Sequence, residues 1–372
     1  MQKLFKTLLS ISVIAVFLGM VLVNTGCEGP QGPAGLAGAD GNGTCGTCHS
    51  ETADDVNLKF AQYDLSQHNM GIVYEEEAGR ITCGGCHSGD GFAEAAALGQ
   101  DDANSVATSK INCKACHTIH QDYAMSDFGL RINAGYAMRI NGTQIDLGKG
   151  NLCAKCHQGR AYTRAPFDSA GTQYETISPS GTSSYSRFGP HYGTPANVYV
   201  MNGPVQVGST PFPTSNPHKG GTLFADGCVT CHMAKDEGTG TAYNPAVGGH
   251  TFRMPQANLS TIAACGNSGC HTAAEIKDAS LYKSVAADIA LYRRKLIDRG
   301  LLDTSQAVNE EFPRMAVLGE YFATPGGKKR AILKSDVDVV LNYLYVAKDR
   351  SNGIHNPNYI KAIVAAGLEY LQ

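Results

Sequence analysis

The spacing of hydrophobic positions divides the chain into an apolar N-terminal run, a long polar middle and a helical end. The run from Leu8 to Val23 is largely apolar, and Gly-X-Y triplets follow over residues 29–41. From there to residue 271 long periodic hydrophobic runs are few. This pattern predicts a mainly α fold with a high loop content, in which the middle of the chain carries only short helices.

Beyond residue 271 apolar residues recur at helical spacing and predict three helices. The first is expected to end at Gly300 and to bury Val285, Ile289, Tyr292 and Leu296. The second is expected to begin at Ser335, with Asp338 as a capping-box-like partner, and to present Val337, Val340, Leu341, Leu344 and Tyr345 on one face. The third opens at Pro357, a favoured first helical residue, and carries Ile360, Ile363, Val364 and Leu368.

Two short β-hairpins are predicted in the polar middle, each around an Asn-Gly turn. One joins residues 136–140 to residues 143–145 through Asn141 and Gly142. The other joins residues 198–200 to residues 205–207 through Asn202 and Gly203. The remainder of this region is expected to be loop with short helices.

The N-terminal segment has the features of a bacterial export signal. Lys3 and Lys6 precede the apolar run, and small residues then lead to Cys27. This arrangement resembles a lipobox, in which the cysteine is acylated and becomes the mature N-terminus. We therefore expect a signal peptide over 1–26, a lipidated Gly-rich tether over 27–44, a ligand-binding region over 45–271 and a helical region over 272–372. The expected location is the outer membrane, on its periplasmic or cell-surface side.

Cysteine usage is the most informative part of the composition. The formal net charge is -3, which gives no reason to expect nucleic acid as a partner. Of the 13 cysteines, all except Cys27 fall into close pairs that are followed directly by histidine. Five pairs read Cys-x-x-Cys-His, with the residues Cys45, Cys48, His49; Cys83, Cys86, His87; Cys113, Cys116, His117; Cys153, Cys156, His157; and Cys228, Cys231, His232.

This spacing is the attachment signature of c-type haem. Two thiols one helical turn apart reach the two vinyl groups of the porphyrin, and the adjoining imidazole is the proximal iron ligand. A sixth site, Cys265, Cys270 and His271, has four residues between its cysteines and is interpreted in the same way. Zinc knuckles and disulfides were the alternatives, but neither requires a histidine after each second cysteine. The prediction is therefore six covalently bound haems.

The histidine count suggests a second axial ligand for every iron. The chain has 12 histidines, and the six outside the attachment motifs are His68, His120, His191, His218, His250 and His355. His120 follows a motif histidine by one turn and is placed to ligate a neighbouring haem instead of its own. Surface histidines are the alternative interpretation of any single member of this set.

The run of motifs resembles the multihaem cytochromes of metal-reducing and sulfur-reducing bacteria, many of which are envelope lipoproteins or extracellular conductors. The segments 189–191, 228–233, 249–252 and 353–357 are similar to the group that contains ammonia-forming nitrite reductase and hydroxylamine oxidoreductase. That resemblance implies that His191, His250 and His355 are distal haem ligands. The chain departs from the reductases of this group because it has no Cys-x-x-Cys-Lys motif.

The function expected from these features is electron transfer and not catalysis. An iron with histidine on both faces can change oxidation state but offers no position for a substrate. The partners would be other cytochromes or metal oxides, with a lipid anchor in the membrane. The alternatives are a reductase of nitrite, hydroxylamine or a sulfur oxyanion, and a homo-oligomer or conductive filament.

Overall fold

The computed structural model describes residues 54–160, 174–177, 189–191, 193–234, 247–254, 265, 271–303, 321–322 and 330–372. The chain separates into two compact units, Met1–Ala53 and Asp54–Gln372, and the first lies outside the described residues. The predicted signal peptide, Cys27 and the tether therefore lie there too. Within the described ranges, no helix has both the length and the apolar character needed to cross a membrane.

The polar middle of the chain forms short helices joined by loops, as the sequence predicts. The first five are α1 (Asp54–Asp64), α2 (Gln67–Met70), α3 (Val73–Glu77), α4 (Ile81–His87) and α5 (Gly89–Ala97). They are followed by α6 (Cys113–Cys116), α7 (Gly150–Cys156), α8 (Pro195–Tyr199) and α9 (Cys228–His232), with short 3₁₀ turns at Met125–Phe128 and Gly249–Thr251. Segments this brief are marginal alone, so neighbouring elements and any bound group must stabilise them.

The strands pair in twos. Strand β1 (Tyr136–Ala137) pairs antiparallel with β2 (Gln144–Ile145), which confirms the first predicted hairpin. Strand β3 (Tyr174–Ile177) pairs antiparallel with the distant β6 (Arg330–Leu333), and β4 (Leu302–Asp303) pairs with β5 (Tyr321–Phe322). The sequence did not indicate these last four strands.

The largest hydrophobic core lies among the C-terminal helices. These are α10 (Ala273–Asp278), α11 (Ser280–Asp298), α12 (Lys334–Asp349) and α13 (Pro357–Tyr370). Helices α11, α12 and α13 contact one another and bury the apolar positions that the periodicity selected, including Val285, Tyr292 and Leu296 of α11. Helix α12 is buried on all sides from Val337 to Asp349, where the sequence predicted one buried face. Helix α8 covers part of the remaining surface of α12.

The second predicted hairpin is wrong. Residues 195–199 form helix α8, because Pro195 occupies a first-turn position where its missing N–H costs nothing. The backbone N–H and carbonyl of Val205 were expected to bond a neighbouring strand, but they form hydrogen bonds with a side chain instead. Val205 N donates to Asn342 Oδ1 at 2.8 Å, and Asn342 Nδ2 donates to the Val205 carbonyl at 2.6 Å. A buried asparagine on α12 therefore replaces the partner strand.

The predicted cap of α12 is also wrong. The helix begins at Lys334, and Leu333 at the N-cap position makes no side-chain hydrogen bond. The Ser335 hydroxyl bonds the Tyr370 hydroxyl at 2.7 Å, and Asp338 pairs with Lys334. Both groups of the expected capping box are thus used for tertiary contact and ion pairing. The predicted start of α13 at Pro357 is confirmed, and the Asn356 side chain accepts from Tyr359 N at 3.1 Å.

Replacing Gly367 by alanine is expected to destabilise the helical core by about 1–3 kcal/mol, the range typical of overpacking. A Cβ atom there would lie 2.1 Å from Cζ of Tyr292, a fully buried ring whose hydroxyl donates to the Val339 carbonyl at 2.6 Å. Alanine would otherwise improve a helix interior. Thermal unfolding should show a lowered Tm for Gly367→Ala and little change for Gly79→Ala, whose Cβ would meet nothing within 4 Å. Equal Tm values would contradict the packing seen around Tyr292.

Candidate metal centres

Four of the cysteine motifs lie on short helices. Helices α4, α6, α7 and α9 each contain both cysteines of one Cys-x-x-Cys-His sequence. Residues three apart lie on the same face of a helix, so the helical turn directs both thiols of a motif to one side. Cys45, Cys48 and His49 of the first motif, and Cys270 of the sixth, lie outside the described residues, whereas Cys265 and His271 are within them.

The structure brings five motif histidines each next to one histidine from outside the motifs. The ring centroids are 6.1 or 6.2 Å apart in every case. The five pairs are His157 with His68, His87 with His191, His117 with His250, His271 with His218, and His232 with His355. No two motif histidines are partners in this set.

The common separation is significant because it matches a metal between two imidazoles. Metal–imidazole nitrogen bonds are about 2 Å long, so two rings on opposite sides of one metal have centroids roughly 6 Å apart. Stacked aromatic rings can approach more closely than this. The rings meet at various interplanar angles, from 31° for His117 and His250 to 86° for His87 and His191. A constant distance with variable angles is the geometry expected of two imidazoles that share a metal, and ring packing does not require it.

Local structure explains how two of the outer histidines, which are those outside the cysteine motifs, are positioned. His68 lies on α2, whose N-cap Ser66 accepts a hydrogen bond from Asn69 N. His250 lies on the 3₁₀ turn Gly249–Thr251, and its backbone N–H donates to Oε1 of the buried Gln62 at 3.1 Å. Gly249 permits this approach, because a Cβ there would lie 2.4 Å from Gln62 Oε1.

Several buried imidazoles have a lowered pKa, which favours the neutral form that binds metals. Burial and then the nearby rings of His68, His232 and His355 together lower the pKa of His157 to about 4. Burial also lowers the pKa of His68, His87, His218 and His232. A histidine ligand must be deprotonated at the coordinating nitrogen, so these shifts favour metal binding near neutral pH. The pKa of His355 is raised instead, because Asp349 outweighs the effect of burial.

Several rings are oriented by a hydrogen bond at Nδ1, which leaves Nε2 for a metal. The acceptors are the backbone carbonyls of Phe128 for His117 at 2.7 Å, of Ile354 for His218 at 2.6 Å and of Phe252 for His232 at 3.1 Å. His355 Nδ1 instead bonds the carboxylate of Asp349 at 2.6 Å. Such partners fix the tautomer and the ring plane of a ligating histidine.

The thiols of different motifs also meet. Cys86 and Cys156 lie close enough for each to shift the pKa of the other, and so do Cys153 and Cys228. Cys116 lies close enough to Cys153 for their charges to interact, and burial raises the pKa of Cys116 to about 12. The motif on α7 therefore adjoins three others, on α4, α6 and α9. Glycine allows part of this contact, because a Cβ on Gly150 would lie 2.9 Å from Cys228 N.

A network of charged side chains holds the motifs of α4 and α7 together. Lys155 Nζ lies 2.6 Å from Asp101 Oδ1, and Arg139 Nη2 lies 2.8 Å from Asp102 Oδ1. Arg139 Nη1 also donates to Cys86 Sγ at 3.8 Å. The loop that carries these aspartates packs against Gly85, where a Cβ would lie 2.0 Å from the Asp101 carbonyl oxygen. Glycine inside the second motif is thus required by the loop that crosses it.

The sixth histidine outside the motifs is His120. Its ring stacks on Tyr123 at 5.6 Å, and its φ of 62° is left-handed. Sequence reasoning identified every histidine in the five pairs but not the residues that orient them. Gln62 and Asp349 carry no motif, because they act through contacts with segments elsewhere in the chain.

The chain was compared with protein-family models, with curated proteins and with solved structures, and no match was found in any of the three comparisons.

Proposed function

We propose that the protein is an electron carrier that binds six haems through thioether bonds and two axial histidines each. The observation that supports this most strongly is the set of five histidine pairs with centroids 6.1 or 6.2 Å apart. Each pair joins the histidine of one haem-attachment sequence to a histidine outside the motifs. The sequence spacing and the spatial pairing both agree with a metal between two imidazoles.

The residues present fit a haem in their donor chemistry. Each pair offers two imidazole nitrogens and each motif two thiols, and a haem brings the remaining four nitrogen ligands itself. Two phenol hydroxyls beside motif cysteines, Tyr63 Oη and Tyr136 Oη, are buried without a hydrogen-bond partner among the described residues. Buried polar atoms are normally paired, so an absent acceptor is implied at both places. When bound, haem supplies a one-electron Fe(III)/Fe(II) couple.

The chain's own residues then have distinct roles. The cysteines would hold the porphyrin covalently, and the motif histidines together with His68, His191, His218, His250 and His355 would ligate the irons. His120, one turn after His117 in the sequence, is proposed as a ligand of a neighbouring haem. With both faces ligated, an iron offers no position to a substrate, which favours a carrier over the reductase alternative.

The thiol contacts suggest how the attachment sites are connected. The site on α7 adjoins the sites on α4, α6 and α9, and Cys231 of α9 lies near Cys265 of the sixth site. The described sites thus form one connected series with a branch at α7. Haems held at these sites would provide an electron path that runs through the α7 site and along the arm from α9 to Cys265.

The cell envelope is the proposed location. This rests on the sequence of residues 1–27, where the basic start, the apolar run and Cys27 resemble a lipoprotein signal. Two acyl chains would suffice to keep the protein at a membrane. The partners proposed are other redox proteins or metal oxide acceptors.

The test of the haem assignment is the number of covalently bound haems. Intact mass of the denatured, mature protein should equal the polypeptide plus six haems, because thioethers survive denaturation. A Cys265→Ala/Cys270→Ala double variant should retain five haems. The loss of one haem would show that the longer sixth motif is an attachment site. A wild-type protein without covalent haem would contradict the proposed function, and five haems in the wild type would exclude the sixth motif.

A further inference from the structure

The hydrogen bond from His355 Nδ1 to Asp349 differs from those of His117, His218 and His232, because its acceptor is a carboxylate and not a backbone carbonyl. Asp349 is the last residue of α12, and its side chain is fully buried. Its Oδ1 accepts from His355 Nδ1 at 2.6 Å. Its Oδ2 accepts from the backbone N–H of Ser351 at 3.2 Å and from the Ser351 hydroxyl. Both oxygens of this buried carboxyl group are thus hydrogen-bonded.

The other ring of the same pair provides an internal comparison. His232 Nδ1 bonds the Phe252 carbonyl at 3.1 Å, a neutral acceptor at a longer distance. His117 and His218 also bond neutral backbone carbonyls. Charge-assisted hydrogen bonds are shorter and about twice as strong as neutral ones. The pair of His232 and His355 is therefore asymmetric, with a full negative charge behind one ring.

A carboxylate at Nδ1 changes the ligand strength of the imidazole. It draws the Nδ1 proton toward itself, and the electron density left on the ring makes Nε2 a stronger donor. A stronger donor, with a buried negative charge behind it, stabilises ferric iron more than ferrous iron. Burial keeps the effect large, because the low local dielectric screens the charge weakly.

We propose that Asp349 is a positioning residue that lowers the reduction potential of the iron held by His232 and His355. This rests on the proposed function, since it presupposes haem at that site. The site lies between the α7 site and Cys265 in the connected series.

The experiment is a potentiometric titration of the full-length, haem-loaded protein, followed by electron paramagnetic resonance. In Asp349→Asn, which keeps the shape and a hydrogen-bond acceptor, one of six redox components should move to higher potential. At a fixed applied potential, the oxidised-to-reduced ratio of that component should change at least tenfold. For a one-electron couple this corresponds to a shift of about 59 mV in its reduction potential. The other five components should stay where they are in the wild type.

Two further variants keep the result interpretable. Asp338→Asn removes the same charge from a buried position on the same helix, where it is paired with Lys334, and should shift no component. Asp349→Glu restores a carboxylate and should return the shifted component toward the wild-type potential. Unchanged potentials in Asp349→Asn, or an equal shift of all six components, would overturn the proposal. A wild-type protein without six low-spin haems would instead refute the proposed function, before any variant is compared.

Discussion

Replacing His68 by alanine is expected to open one iron to external ligands while all haems stay attached. His68 is paired with His157, the motif histidine of α7, at a centroid distance of 6.1 Å. Removing that imidazole leaves one axial position empty, because the cysteine thioethers do not depend on the distal ligand. One low-spin signal of six should become high-spin in electron paramagnetic resonance, and the reduced variant should bind one carbon monoxide, where the wild type binds none.

A matched control is available at the same ring. Phe252 contacts His68 edge-on at 5.0 Å but carries no ligating atom. Phe252→Leu should therefore retain six low-spin signals and exclude carbon monoxide. Added imidazole should restore the low-spin state of His68→Ala by filling the empty position. Carbon monoxide binding to the wild type, together with turnover of nitrite or hydroxylamine, would support the reductase alternative instead.

The second large effect is expected on electron distribution within the molecule. Carbon monoxide stabilises ferrous iron, so binding it in His68→Ala should remove the α7 site from the relay without loss of haem. If that site is the branch point of the series, equilibration among the other sites after a pulse of photoreductant should slow by at least tenfold. The equilibration would be measured from the change of absorbance in the haem bands over time.

The control for this experiment lies at the end of a branch among the described sites. His191 is paired with His87, whose motif adjoins the α7 motif through Cys86 and Cys156. Carbon monoxide bound in His191→Ala should leave equilibration among the remaining sites close to the wild-type rate. If equilibration slows equally in both variants, the α7 site is not the branch point of the series. If it slows in neither, the contacts between thiols do not mark the path of the electrons.

The sequence identified the members of the five histidine pairs because the signals that mark them are local. Five consecutive residues define most motifs, and the number of outer histidines matched the number of motifs. The apolar faces of α11 and α13 were predicted correctly for a similar reason, since their periodicity is contained within one segment. Residues 1–53, with Cys27 and the first motif, lie outside the described part of the chain, so those predictions stay predictions.

The sequence did not predict which histidines pair, because pairing depends on long-range packing. His87 pairs with His191 and not with His68 or His120, which lie closer to it in the sequence. No local sequence pattern shows which of these histidines would be its partner. The second hairpin failed for a related reason: the buried Asn342 on α12 satisfies the Val205 backbone from a distant segment. Asp349 was missed because a carboxylate six residues before a histidine has no motif of its own.

The long-range pairing has a consequence for how such a protein would mature. If the motifs bind haem, each attachment site would be complete once its own short motif has been synthesised, but three of the five histidine pairs need a histidine that comes later in the chain. His355, near the C-terminus, serves the motif of α9, and the adjacent Ile354 carbonyl orients His218. A nascent chain would thus carry singly ligated, oxygen-reactive iron until its last segment docks. Premature termination before residue 355 would leave the His232 site permanently in that state.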